Sequence, residues 1–168
     1  MGLRIPKYIL DADIEKCFDK IDHSSLLRKI DSPAIIKKQV KAWLDAKIIE
    51  KEMEIDNTSG TPQGGIISPL LCNIALNGLE KEVIRNHLKS KNRNFTRVNK
   101  GDLLFCRYAD DFVVAHENLE KVEETKKVIQ NRLSKIGLTL SEEKTRIVHS
   151  IKEHHGQRPG INFLGFRI

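Results

Sequence analysis

The chain has 168 residues, 31% charged and 39% hydrophobic, which suits one soluble domain with its own core. A formal charge of +6 and a pI near 9.2 favour a polyanionic partner, and an aromatic content of 5% argues against extensive base stacking on an aromatic sheet. The cysteines, Cys17, Cys72 and Cys106, are odd in number and far apart, with no CxxC pair. They read as reduced thiols, and no apolar run approaches the ~20 residues of a membrane span, so the expected location is cytoplasmic, inside a bacterium or an organelle.

In chain order, "KYILDADI" reads as a buried strand that ends in acids. Asp22 or Ser24 can cap a short helix through Ile30. Pro33 opens "PAIIKKQVKAWLDAKII", where Ile36, Val40, Trp43 and Leu44 fall at helical spacing. "EMEIDNTSGTPQGG" suggests a short strand followed by a loop. Ser68-Pro69 predicts a helix start with serine as N-cap, continued by a stripe of Leu71, Ile74, Ala75, Leu79 and Val83. Leu103 to His116 predicts a β-hairpin with Asp110 and Asp111 at or beside its turn. A helix follows from Leu119 to Ile136, ended by Gly137 as the C′ residue. "TRIVHS" and "NFLGFRI" read as further strands, and "HHGQRPGIN" as a loop between them. This order predicts an α+β fold, an antiparallel sheet with helices packed on one face.

The hairpin poses the chemical question. Two carboxylates ~4 Å apart repel by about 1 kcal/mol even in water, so Asp110-Asp111 costs stability unless a cation binds. Asp11 and Asp13 end the first strand and share a face by its period of two. A carboxylate from that strand plus the hairpin pair would form a three-acid cluster. Hard oxygen ligands suit magnesium, and two such ions suit in-line phosphoryl transfer. In "SGTPQGGIISPLL", Gly60, Gly64 and Gly65 let backbone approach a planar or phosphorylated ligand beside Gln63. Arg85, Lys89, Lys91, Arg93, Arg97 and Lys100 fall in a stretch without an acid, which is either a solvated basic loop or a phosphate-contacting arm. The adjacent His154-His155 pair lacks a third ligand at metal spacing.

"DADIEKCFD", "GTPQGGIISPLLCNIAL", "RYADDFVV", "GLTLSEEKT" and "FLGF" follow one another as in a reverse transcriptase, and these versions resemble the group II intron-encoded reverse transcriptases, or maturases. The resemblance runs from Tyr8 to Ile168 and implies a ferredoxin-like polymerase palm. It assigns Asp13, Asp110 and Asp111 as catalytic, metal-binding acids, with the backbone of Ile14 as a further ligand and two Mg²⁺ ions (Mn²⁺ as substitute) as cofactors. Phe18 resembles the steric gate against a ribonucleotide 2′-hydroxyl. Pro62, Gln63 and Gly64 are similar to the segment beside the incoming nucleotide and template base. Lys144 matches the lysine near the leaving pyrophosphate, and Phe163, Leu164 and Gly165 resemble the primer grip.

The implied partners are an RNA template, a DNA primer, dNTP and intron RNA, with no membrane. The resemblance also implies that residues 1–168 are a palm-centred fragment, with the start of the fingers and the thumb absent or supplied as separate segments. The leading reading is therefore RNA-directed DNA polymerisation tied to intron splicing and mobility. The alternative is a non-catalytic RNA-binding maturase fragment or split-protein piece. A nucleotide cyclase would share the two-metal palm but has no place for "TPQGG" and "FLGF".

Overall fold

The computed structural model describes residues 6–45, 48–50, 53–55, 67–90 and 103–168. These form two compact units, one of residues 1–14, 78–132 and 140–168, the other of residues 15–77 and 133–139.

The first unit is built on a four-stranded sheet of β1 (Tyr8–Ala12), β4 (Leu104–Tyr108), β5 (Asp111–His116) and β6 (Arg146–His149), ordered β4-β5-β1-β6. All three pairings are antiparallel. Taken in chain order the strands stand 4-1-3-2, the ferredoxin-like arrangement. Strand period two sorts the side chains. Leu10, Phe112 and Val114, all fully buried, share one face with His116, whose ring meets that of His87 on helix α5 (Leu79–Ser90) at 5.1 Å. Helix α6 (Leu119–Ser134) buries Val122 and Ile129, and its Arg132 pairs with Glu82 of α5 at 3.1 Å. The opposite face carries Ile9, Val113, Ala115 and Val148, which pack with Ile161 and Phe163 from the C-terminal segment. That packing stops short of the end of the face bearing Asp11 and Asp111.

"NFLGFRI" forms a hairpin rather than one strand: β7 (Asn162–Phe163) pairs β8 (Phe166–Arg167) across Leu164-Gly165. Both turn residues have positive φ, +51 and +81, as a two-residue turn of this hand requires. "HHGQ" likewise closes a turn, with His154 bridged to Gln157.

The second unit holds α1 (Cys17–Lys20), α2 (His23–Lys29), α3 (Ala34–Leu44), the antiparallel pair β2 (Ile48–Glu50) and β3 (Met53–Ile55), and α4 (Ser68–Leu76). Asp22 caps α2 by accepting the Ser25 N–H at 2.6 Å. This pair and the charge of Arg28 hold the Asp22 carboxyl below the usual range. The helix opened by Pro33 ends at Leu44, and Ile48-Ile49 form a strand where the apolar pattern suggested continued helix. Val40 and Leu44 are buried, whereas Ile36 and Trp43 are exposed, so the inward stripe is narrower than spacing alone implied.

The predicted stripe from Leu71 to Val83 is also divided. Gly78, at φ +87, separates α4 from α5 and marks the boundary between the two units. Ser68 lies inside α4 and Ile67 takes the cap position. Pro69, lacking an N–H, is tolerated in either of the first two positions.

At the end of α6 the N–H of Gly137 donates to Ser134 and that of Leu138 to Leu133. This is the paired bonding of a Schellman motif around a residue at φ +77. A Cβ at Gly137 would also stand 2.9 Å from the Lys20 carbonyl, so glycine is required there twice over.

Candidate active site

Tyr108 pairs with Asp111, leaving Ala109-Asp110 as the two-residue turn between β4 and β5. Ala109 takes φ +53, a left-handed conformation that costs a non-glycine residue about 1 kcal/mol. Arg107 supports it by donating from Nη1 to the Ala109 carbonyl at 2.8 Å. Asp111 opens β5 on the same face as Val113, which pairs with Asp11. Asp11 pairs on its other side with Arg146 of β6. Long-range register thus brings residues 11, 111 and 146 to one end of one face.

There a cavity of about 300 Å³ is lined by Asp11, Asp13, Asp111, Glu143, Lys144 and Arg146. Two ion pairs cross it: Lys144 Nζ to Asp13 at 2.6 Å, and Arg146 to Asp11 at 3.0 Å. Lys144 is positioned by the turn after Leu140. Ser141 donates its N–H to the Asp13 carbonyl at 2.9 Å and accepts the Thr145 N–H on its own carbonyl, while its hydroxyl accepts the Lys144 N–H.

These pairs take up Asp13 and Asp11 and, among the described residues, leave Asp111 and Glu143 of the lining outside an ion pair. Asp111 is pushed above the usual carboxylate range by burial first, then by the charges of Asp13 and Asp110, with Asp11 adding and Lys144 opposing. Lys144 is raised in turn, chiefly by its hydrogen bond to Asp13.

Not every expected residue gathers here. Asp110 stands on the turn, outside the cavity lining. Among the described residues, no three His, Cys, Asp or Glu side chains stand close enough together to hold a metal by themselves. Ile14 is bridged to Leu140 beside the cavity. Of the residues expected to form a primer grip, Phe163 is in the core, and Leu164-Gly165 form the exposed turn. Arg85 is exposed on α5. Pro62, Gln63, Gly64, Lys91, Arg93, Arg97 and Lys100 lie outside the described residues, as do the side chains of Phe18 and Lys89.

Sequence reasoning missed Arg146 and Glu143. Arg146 is the first residue of its strand, and only the pairing of that strand with β1 reveals its use.

A family profile described as reverse transcriptase (RNA-dependent DNA polymerase) matches residues 3–168. The chain belongs to the reverse transcriptase family. It is 28% identical to the group II intron-encoded protein LtrA of Lactococcus lactis subsp. cremoris, a match covering 96% of this chain and 35% of that protein. It is 29% identical to protein YkfC of Escherichia coli K12, covering 96% and 47%. The chain therefore spans between a third and a half of the length of these curated relatives. Among solved structures, apo telomerase from Candida tropicalis, truncated from its C-terminal domain, superposes with a TM-score of 0.72 at 17% identity, covering 98% of this chain and 34% of that one. That likeness establishes the reverse transcriptase fold.

Reverse transcriptases generally use divalent metal ions, and the donors fit a hard one. Asp13 and Asp111 offer carboxylate oxygens to one cavity, and the Lys144 ammonium already rests on Asp13 as a cation. Burial, and after it the charges of Asp13 and Asp110, disfavour the ionised Asp111 carboxyl, and a cation held beside it would favour that form.

Proposed function

We propose that this chain is the palm of a group II intron-encoded reverse transcriptase and that it adds deoxynucleotides to a DNA primer on an RNA template. The observation that carries the reading is the meeting of Asp13 and Asp111, from motifs far apart in sequence, in one charged cavity beside the Asp110 turn. Asp13, Asp110 and Asp111 are the catalytic acids, with the backbone of Ile14 alongside. Two Mg²⁺ ions, with Mn²⁺ as substitute, would activate the primer 3′-hydroxyl and neutralise charge at the α-phosphate and the departing pyrophosphate. Lys144, released from Asp13, offers its ammonium to that pyrophosphate. Phe18 excludes the 2′-hydroxyl, and Pro62, Gln63 and Gly64 border the nucleotide and template base. Phe163 anchors the turn that presents Leu164 and Gly165 to the primer. The basic stretch from Arg85 to Lys100 holds RNA phosphates, and intron RNA is among its partners.

Among the described residues no helix is long and apolar enough to cross a membrane. The test is primer extension on a primed RNA by the protein that carries this palm, with Mg²⁺ and dNTPs. Asp110→Ala and Asp111→Asn abolish extension and retain salt-sensitive RNA binding. Extension that survives either substitution overturns the assignment. RNA binding with no extension by the unsubstituted protein supports the purely binding alternative.

A further inference from the structure

Of the three cysteines, Cys106 is exposed on β4, whereas Cys17 on α1 and Cys72 on α4 are buried. Both buried residues belong to the unit of residues 15–77 and 133–139. Their Sγ atoms stand 2.9 Å apart although 55 residues separate them in the chain. No spacing motif marks them as a pair, since the fold alone brings them together. We propose that Cys17 and Cys72 form an oxidisable dithiol, a modification site at which a peroxide joins them as a disulfide and staples α1 to α4.

The geometry selects the product. A disulfide needs its sulfurs at about 2.05 Å, and these are already in contact and buried. One thiolate attacks the peroxide oxygen, giving a sulfenic acid and, after protonation, water. The second sulfur then attacks the sulfenic sulfur, expels its oxygen as water and closes the bond. In total two thiols and one hydrogen peroxide become one disulfide and two waters, the two sulfurs giving up the two electrons that the O–O bond takes. Burial slows the first step, because loss of water disfavours the thiolate. Once a sulfenic acid forms, its resolving partner is in contact, so condensation outruns further oxidation to the sulfinic acid. The exposed Cys106 has no such partner in the same unit, as the nearest thiols belong to the other one.

The staple has a functional address. Cys17 immediately precedes Phe18, and α4 is the helix into which the Pro62-Gln63-Gly64 segment leads. The inference rests on the sulfur geometry and stands apart from the polymerase reading.

The test uses the Cys106→Ser chain, folded, treated with hydrogen peroxide, quenched with an alkylating reagent, digested without reduction and weighed by mass spectrometry. The expected product is the Cys17 peptide joined to the Cys72 peptide, two hydrogens lighter than the separate pair and released by dithiothreitol. The oxidised protein also melts several degrees above the reduced one, since the link closes a long loop in the unfolded chain. A Cys17→Ala variant gives no linked peptide. Three results would each overturn the proposal: both thiols still alkylatable after peroxide, separate sulfinic acids with no link, or a link that forms only in urea.

Discussion

Replacing Asp111 with asparagine should make the protein more stable while removing its chemistry. Burial and the charges of Asp13, Asp110 and Asp11 all disfavour the ionised Asp111 carboxyl, and the charge of Lys144 favours it. With ~6 Å taken as an order-of-magnitude separation, each like charge costs ~0.7 kcal/mol at the dielectric of water, the value suited to a carboxylate partly open to solvent. Three such repulsions, less one attraction, leave about 1 kcal/mol. In a chain of this length that corresponds to a rise of ~2–4 °C in Tm. The folded state raises the Asp111 pKa above its unfolded value, so ionisation costs stability at all pH above the folded value. That cost disappears below the unfolded value, near 4. The gain from Asp111→Asn is therefore full at pH 7 and fades as pH falls towards 3. Urea or thermal unfolding of both proteins at pH 7 and pH 3.5 measures it. A loss of stability at pH 7, or an equal difference at both pH values, would refute the electrostatic reasoning.

Other substitutions test separate links in the argument. Gly137→Ala places a Cβ 2.9 Å from the Lys20 carbonyl at φ +77 and should cost about 1–2 kcal/mol in urea unfolding, with unchanged secondary structure by circular dichroism. Lys144→Met removes the ammonium that competes for Asp13, so Mn²⁺ binding followed by electron paramagnetic resonance should tighten several-fold. Weaker binding would show that the lysine assembles the site rather than guarding it. If the proposed activity holds, Phe18→Ala in the protein that carries this palm should raise ribonucleotide incorporation by an amount worth ~1–3 kcal/mol of discrimination. An unchanged ratio of dNTP to NTP use would remove Phe18 from sugar selection.

Where the sequence spoke locally, the structure follows it. The hairpin around Asp110-Asp111 joins two antiparallel strands of five and six residues, and Gly137 ends α6 with the bonding expected of a C′ glycine. Both rest on interactions within a few residues. The missed features are those that neighbours in space decide. The stripe from Leu71 to Val83 has helical period throughout, yet it divides at Gly78, where the chain passes from one compact unit to the other. Ile48 and Ile49 continue the apolar pattern of α3 but pair with β3. Arg146 enters the cavity because β6 lies beside β1, and no local pattern in "EEKTRIV" encodes that register. The contact of Cys17 with Cys72 is equally invisible in one dimension.

The place of β1 in the sheet bears on how the protein is made. β1 is an inner strand, hydrogen-bonded to β5 on one side and β6 on the other. β5 begins about 100 residues after β1 ends and β6 about 135 after, so at ~5–20 residues per second a ribosome releases "YIL" several seconds before either partner exists. During that interval an apolar segment with two open edges must be kept from pairing with other chains. Because Asp11 belongs to β1 and Asp13 directly follows it, the cavity cannot take shape until this wait is over. The segment that later supplies the first acids of the cavity is thus an aggregation-prone stretch of the nascent chain, and chaperone occupancy there should persist until β5 and β6 have been made.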